Sequence, residues 1–291
     1  MHVPGGSVPV HHPAHHRARS RLTPQYPIAP LLLRSRRTLH RRQRGYVATT
    51  VRILRQLAAD RRSVALILLV PVVVITLVYF MFQNTPHRPG TPPPFNGACL
   101  ILVGLFPFFL MFVLTSITMQ RERATGTLER ILTTPLRRID LLGAYGTAFS
   151  LAAAVQASLL CVVSFRLLHF TTAGSPAWVF LVAIVNAVLG VALGLLFSAF
   201  ARTEFQALQF IPLVIVPQLL LAGILVPRSL MPHWLEWLSN ALPASYALEA
   251  LQQVDTHPSL TGVAARDMAV VLGFALASLC LAAATLRRRT P

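Results

Sequence analysis

The side chains here that could perform covalent chemistry lie apart from the partners such chemistry needs. Ser150, Ser158, Ser164, Ser198 and Ser278 sit in apolar runs, and a hydrolytic nucleophile there requires a His or carboxylate as its base. No residue central to those runs supplies one, which argues against an intramembrane hydrolase. Cys99, Cys161 and Cys280 are widely spaced and show neither a disulfide framework nor metal-ligand spacing, so they read as small apolar packing residues. The string HHPAHH at 11–16 could hold a metal ion weakly. Pro13 interrupts its spacing and no carboxylate is near, so a solvated tail is the stronger reading. All 26 basic residues are Arg, and a Walker-type phosphate loop needs a Lys on the nucleotide. Within these residues we therefore expect no catalytic group, no metal site and no cofactor site.

Non-covalent chemistry is better represented. Gln156, Asn186 and Gln218 interrupt apolar runs. Such side chains commonly glue helices together, at about 0.6 kcal/mol each; alternatively Gln156 or Gln218 faces a substrate path. The densest charge lies in the stretch QRERATGTLERILTTPLRRID, residues 120–140. Gly126 can break a helix there and Thr127 can cap the next, with Glu129 in its favourable first turn. Leu128, Ile131 and Leu132 then fall at i, i+3 and i+4, and Pro135 ends the element. Two turns are too short to be stable alone in water, so a helix over 127–134 needs a surface to pack on.

The elements that must position these residues are membrane spans. The chain is 54% hydrophobic and 12% charged, against roughly 25% charged in ordinary soluble domains. Crossing about 30 Å of hydrocarbon takes about 20 apolar residues in a helix. Six runs qualify, at about 64–82, 98–118, 143–165, 177–199, 207–227 and 268–286. Residues 231–254 are amphipathic and carry Glu236 and Glu249, so they are expected as two short helices at an interface. Every Asp and Glu is expected in a loop or at a span edge. Gly190 and Gly194 form a GxxxG pattern that allows close helix approach, within the subunit or at a dimer seam.

Orientation follows the Arg residues, since cytoplasmic loops carry the positive excess. With the N-terminus inside, 22 Arg fall on the cytoplasmic side and four, Arg88, Arg166, Arg228 and Arg266, fall outside. Both termini are then cytoplasmic. Residues 1–45 are rich in Arg, His and Pro without apolar periodicity and are expected to be disordered. Just after them Val47, Val51, Leu54 and Ala58 line one face of a basic amphipathic helix. It could lie along anionic headgroups, or serve only as a topology anchor. The bilayer is thus an expected partner, and nucleic acid is not.

Glu122, Gly126-Thr127-Leu128-Glu129, Thr134-Pro135 and Leu141-Leu142-Gly143 together resemble the cytoplasmic loop of ABC-2 type transporter permeases. The segment containing Gly223, Pro227, Pro232, Trp234, Leu235, Pro243 and Tyr246 is similar to the late outer signature of the same family. The resemblance covers about residues 45–286, with the daunorubicin-type drug-resistance permeases as the nearest flavour. Gly143-Ala144-Tyr145 departs from the Gly-Lys that many relatives carry; Arg137 and Arg138 could supply cations there, with different geometry.

With the tail over 1–45 lying outside it, the resemblance implies an all-α membrane protein with a permease domain over 46–288. That domain would have six transmembrane helices, a cytoplasmic amphipathic helix before them, a short cytoplasmic coupling helix, and outer re-entrant or interfacial helices before the last span. It would export a hydrophobic or amphiphilic, drug- or lipid-like substrate across a bacterial plasma membrane. A separate ABC ATPase would bind ATP and Mg, and a second permease would complete a homodimer or heterodimer. Glu122, Arg123, Leu128, Glu129, Arg130, Ile131 and Leu132 would contact the ATPase, and Trp234, Trp237 and Tyr246 would form an outer lid. The competing reading is a membrane scaffold or assembly factor that keeps the fold without transporting.

Overall fold

The computed structural model describes residues 29–86, 91–127, 138–201 and 203–285, with side chains described from residue 43 onward apart from Arg138. The chain divides into two units, Met1–His40 and Arg41–Pro291. Of the first, the helical backbone from Ala29 is described; the spans and both charged ends belong to the second.

The described residues form helices in chain order: α1 (Ala29–Ala59), α2 (Arg61–Phe82), α3 (Pro94–Ala124), α4 (Arg138–Val162, prolonged by a π turn over Val163–Leu167), α5 (Pro176–Ser198), α6 (Glu204–Leu221), α7 (His233–Asn240), α8 (Pro243–Thr256) and α9 (Gly262–Thr285). Among them α2, α3, α4, α5, α6 and α9 are long and apolar enough to span a membrane. Each matches one of the six apolar runs. α1 begins at Ala29, inside the segment whose composition predicts disorder, so the boundary drawn at 45 falls within a helix. Its Leu, Arg and Gln residues are good helix formers, and Pro30 stands at the start, where a missing N–H costs nothing.

Local chemistry sets the helix starts. Asp60 caps α2, its carboxylate accepting from the Ser63 amide at 3.2 Å and the Ser63 hydroxyl at 2.6 Å. Ser175 caps α5 ahead of Pro176, and Thr203 caps α6 with Glu204 in the first turn. Three core clusters succeed one another along α3. Phe95, Cys99 and Val103 pack with Leu160, Val179 and Leu251. Phe108 and Phe112 pack with Leu189, Ile215 and Val271. Met111 and Met119 pack with Leu141, Phe149 and Leu195.

α5 is the most enclosed span, and its glycines explain why. A Cβ at Gly190 would collide with the carbonyl of Phe108, and one at Gly194 would lie 2.7 Å from the carbonyl oxygen of Phe112. The GxxxG pattern thus seats α5 on α3 within one subunit. Asn186 donates to the Gly104 carbonyl at 2.8 Å along the same seam.

Two expectations are corrected. The fifth span ends at Leu221 rather than near 227, because Gly223 turns the chain at φ +91°. Of the two outer helices, α7 is superficial, but α8 is buried against α3, α5 and α9. Ala244, Ser245, Ala247 and Ala250 are small enough to permit that approach, while Glu249 stays half-buried at the polar margin.

Gly190→Val should lower thermal stability in detergent by about 1–3 kcal/mol through overpacking. Gly273→Ala, where an added Cβ meets nothing within 4 Å, should leave the melt unchanged or slightly raised.

Candidate functional site

One end of the bundle is built around the last turn of α3, where Arg121, Glu122 and Arg123 adjoin. The helix stops there because Gly126 adopts φ +68°, the left-handed conformation that glycine tolerates. The amides of Thr125 and Gly126 donate to the carbonyls of Arg121 and Arg123. The break predicted at Gly126 is therefore present. Leu128, Glu129, Arg130, Ile131 and Leu132, and with them all but Thr127 of the helix expected over 127–134, lie outside the described residues.

Glu122 is buried and turned toward its own chain. One guanidinium nitrogen of Arg52, on α1, reaches both carboxylate oxygens at 3.5 Å and donates to the Tyr145 hydroxyl of α4 at 3.3 Å. Tyr145 is fully buried and stacks on Phe149. A single side chain thus joins α1, α3 and α4 at the root of the segment over 128–137. Within the chain Glu122 is a tie between elements, not an outward charge. Arg123 is half-buried, and its Nε and one Nη have no partner among the described residues. Arg121 pairs with Glu204 at 3.2 Å, both well exposed, an arrangement worth little in water.

A second tie runs from α1 to α4. The Tyr46 hydroxyl donates to the Gly143 carbonyl at 3.1 Å and bonds to the Thr147 hydroxyl. A Cβ at Gly143 would lie 3.2 Å from the Tyr46 ring, so this glycine makes room for the contact. α1 therefore has two faces. Thr50 and Ile53 are buried against the bundle with Tyr46 beside them, whereas Val47 and Val51, on the face picked out by apolar spacing, are exposed.

The opposite end holds the lid candidates. Trp234 and Trp237 on α7 are 70% and 80% exposed. Tyr246 is half-buried, donating to the Asn240 carbonyl at 2.9 Å with the Arg228 guanidinium 5.4 Å from its ring centre. Arg228 also bonds to Glu249 and Asn240, all beside a polar cavity of about 820 Å³. Of the two path candidates, Gln218 is occupied. Its carbonyl accepts from the Ala244 amide at 3.1 Å and caps α8, while its amide reaches the Val214 carbonyl. Gln156 is 1% exposed, and neither end of its amide has a partner among the described residues.

Sequence reasoning missed three groups. Arg52 and Tyr145 escaped because neither belongs to the charged stretch, and their meeting is tertiary. Asp267 escaped because the last span begins at Gly262, well before its apolar run. The expectation that every carboxylate lies in a loop or at a span edge holds for both, since Glu122 is in the last turn of α3 and Asp267 just precedes the apolar run of α9. Glu122 and Asp267 are buried within helices, Asp267 taking two bonds from Arg266 at 2.8 and 3.0 Å. Helices that outrun their apolar cores carry such groups inward, where pairing becomes obligatory.

A six-span helical bundle with its charges gathered at two ends, among the described residues, is a multi-pass membrane protein. Residues 44–255 match the ABC-2 type transporter family model, and the chain belongs to that family. It is 29% identical over 153 residues to ABC transporter G family member 20 of Dictyostelium discoideum, covering 53% of this chain and 21% of that protein. It is 26% identical over 153 residues to the probable multidrug ABC transporter permease YbhR of Escherichia coli K12, covering 53% and 42%. The inner membrane transport permease YhhJ of the same strain is 23% identical over 168 residues, covering 57% and 45%. The chain thus spans less than half the length of these relatives.

Charge exchange tests the α1–α3 tie. Arg52→Glu or Glu122→Arg alone should lower the melting temperature by a few degrees, corresponding to about 1–2 kcal/mol given the partial exposure of Arg52. The double exchange should recover much of the loss in a thermal melt of the purified protein.

Proposed function

We propose that the chain is the membrane-spanning permease of an ATP-driven exporter, moving a hydrophobic or amphiphilic, drug- or lipid-like molecule outward. ATP and Mg would sit on a separate ABC ATPase, in keeping with the absence of any Lys for a Walker-type loop. A second permease, identical or related, would supply the other half of the path. Relatives named as ABC transporter permeases support this reading. The observation that carries it is the Arg52–Glu122–Tyr145 node. A push on the segment over 128–137 meets α3 and α4 directly, and that node extends the linkage to α1, so movement at one loop can reach several helices.

In this reading the segment over 127–134 docks on the ATPase, with Leu128, Ile131 and Leu132 as apolar knobs and Arg123, Glu129 and Arg130 as charged contacts. Glu122 holds the root of the segment instead of touching the partner. The Arg asymmetry supports a cytoplasmic position for this end and both termini, and the membrane would be a bacterial plasma membrane. α7, with Trp234 and Trp237 at headgroup level and Tyr246 beneath, closes the outer end. Of the two path candidates, Gln156 is the one left available, since Gln218 is spent on capping α8.

Co-reconstitution with candidate ATPases in vesicles, measuring ATP-dependent dye or lipid export, tests the proposal; no export with any ATPase that binds the chain would overturn it. Leu132→Asp should weaken ATPase docking by about 2 kcal/mol or more and abolish transport-stimulated hydrolysis; full stimulation would refute the docking role. A cysteine at Glu249 should label with an impermeant maleimide from outside intact cells. Labelling from the cytoplasmic side alone would reverse the topology.

A further inference from the structure

α7 is lightly attached to the bundle. Of its eight residues only Ser239 is buried, and Met231 is buried just before it. Its neighbours are α6, α8 and the short turn Arg228–Leu230. The polar ties gather at its C-terminal end. Ser239 donates to the Leu221 carbonyl at 2.7 Å, the Asn240 carbonyl accepts from Tyr246 at 2.9 Å, and the Asn240 side chain accepts from Arg228. Among the described residues no hydrogen bond or ion pair from His233 to Leu238 reaches another element; His233 meets Glu236 of its own helix, at 3.9 Å.

Arg228 joins α7 to α8. One guanidinium nitrogen bonds to Asn240 of α7, the other to Glu249 of α8 at 2.5 Å, and the group lies 5.4 Å from the Tyr246 ring centre. A planar fork serves two such acceptors at once, which a Lys ammonium matches poorly. The side chains of Arg228 and Glu249 are 18% and 32% exposed, so water and salt screen this pair less than a surface pair. Gly223 turns the chain at φ +91°, and a Cβ on it would lie 3.4 Å from Arg228 Cγ. The end of α6, the end of α7 and the body of α8 thus converge on one side chain.

The polar cavity of about 820 Å³ beside this junction has two unlike walls. Glu249 and Gln252 of α8 and Arg266 of α9 form one, Glu236 and Asn240 of α7 the other. The first is packed into the bundle, since α8 lies on α3, α5 and α9. The second depends on how α7 is seated.

We propose that Arg228 is the positioning residue of the outer lid. It seats α7 against α8, and exchange of its bonds to Asn240 and Glu249 for water lifts α7 and widens the cavity. Placing this lid over an exit path rests on the exporter reading; the seating does not.

The test measures distances by double electron–electron resonance on the full chain in nanodiscs, without ATPase or ATP. Cys280, the exposed cysteine, is replaced by Ser. Spin labels are placed at Leu238→Cys on α7 and Thr256→Cys at the end of α8, with excess unlabelled chain to dilute contacts between copies. Met81→Cys on α2 with Thr256→Cys is the control pair, which leaves α7 out. Arg228→Ala should broaden the α7–α8 distribution and move it to longer distance, with the control pair as in wild type. Arg228→Lys, a charge without the fork, should fall between, and Glu249→Gln, which keeps the shape and loses the charge, should broaden the distribution less than Arg228→Ala.

An α7–α8 distribution unchanged in Arg228→Ala would overturn the proposal, as would equal broadening of the control pair, the mark of general loosening. If Arg228→Ala protein does not fold, wild-type distributions in both Arg228→Lys and Glu249→Gln would overturn it. Release of α7 as expected, without export in vesicles with any ATPase that binds the chain, would overturn the exporter reading and leave Arg228 its role. Export with a distribution indifferent to Arg228 would overturn the seating alone.

Discussion

Hydrocarbon cannot solvate a charge or an unpaired peptide group, and the arrangement of this protein follows from that constraint. Among the described residues the ion pairs lie toward the two ends of the bundle. Arg52–Glu122 and Arg121–Glu204 sit at one end, and Arg228–Glu249 and Arg266–Asp267 at the other. Some polar groups within the spans bond to backbone. Asn186 reaches the Gly104 carbonyl, and Ser164 reaches back to Leu160. The turn after α6 meets the same need, since the carbonyl of Leu221, freed where α6 ends, is taken by the hydroxyls of Ser239 and Ser245.

With hydrophobic contrast between helices weak in lipid, close packing has to hold the bundle. The seam between α3 and α5 does this through two glycines that admit the α3 backbone, and the three apolar clusters succeed one another along it. α2 and α6 lie outside that core, with Leu66, Leu77, Phe80, Phe205 and Leu213 exposed. The contrast between a tight central pair and loosely held flanking spans suits a machine in which some helices move against others. The ties from α1 through Tyr46 and Arg52 join it to α3 and α4.

Much of this was legible in the residues. Six apolar runs of the right length predicted six spans, Gly126 announced the end of α3, and GxxxG announced a close crossing. Residues 231–254 were readable as two short helices, yet not the burial of α8. Amphipathic spacing reports that a helix has two faces and is silent on what each face meets. The same limit appears in α1, where of the visible stripe of Val47, Val51, Leu54 and Ala58 only Leu54 packs on the core, and Thr50 and Ile53 on a neighbouring face are buried. Gln218 could be read as helix glue or path lining until the Ala244 amide was found against it.

Composition and spacing thus determined the class of solvent, the number of crossings and the sign of the charge at each end. Those properties depend on transfer free energies and on helical rise, both local to the chain. The tertiary structure decided the partners: Arg52 with Glu122 and Tyr145, 70 and 93 residues apart in sequence, and Tyr46 with Gly143. Such pairings arise when packing brings remote helices within about 3 Å, a distance that no periodicity in a linear sequence encodes.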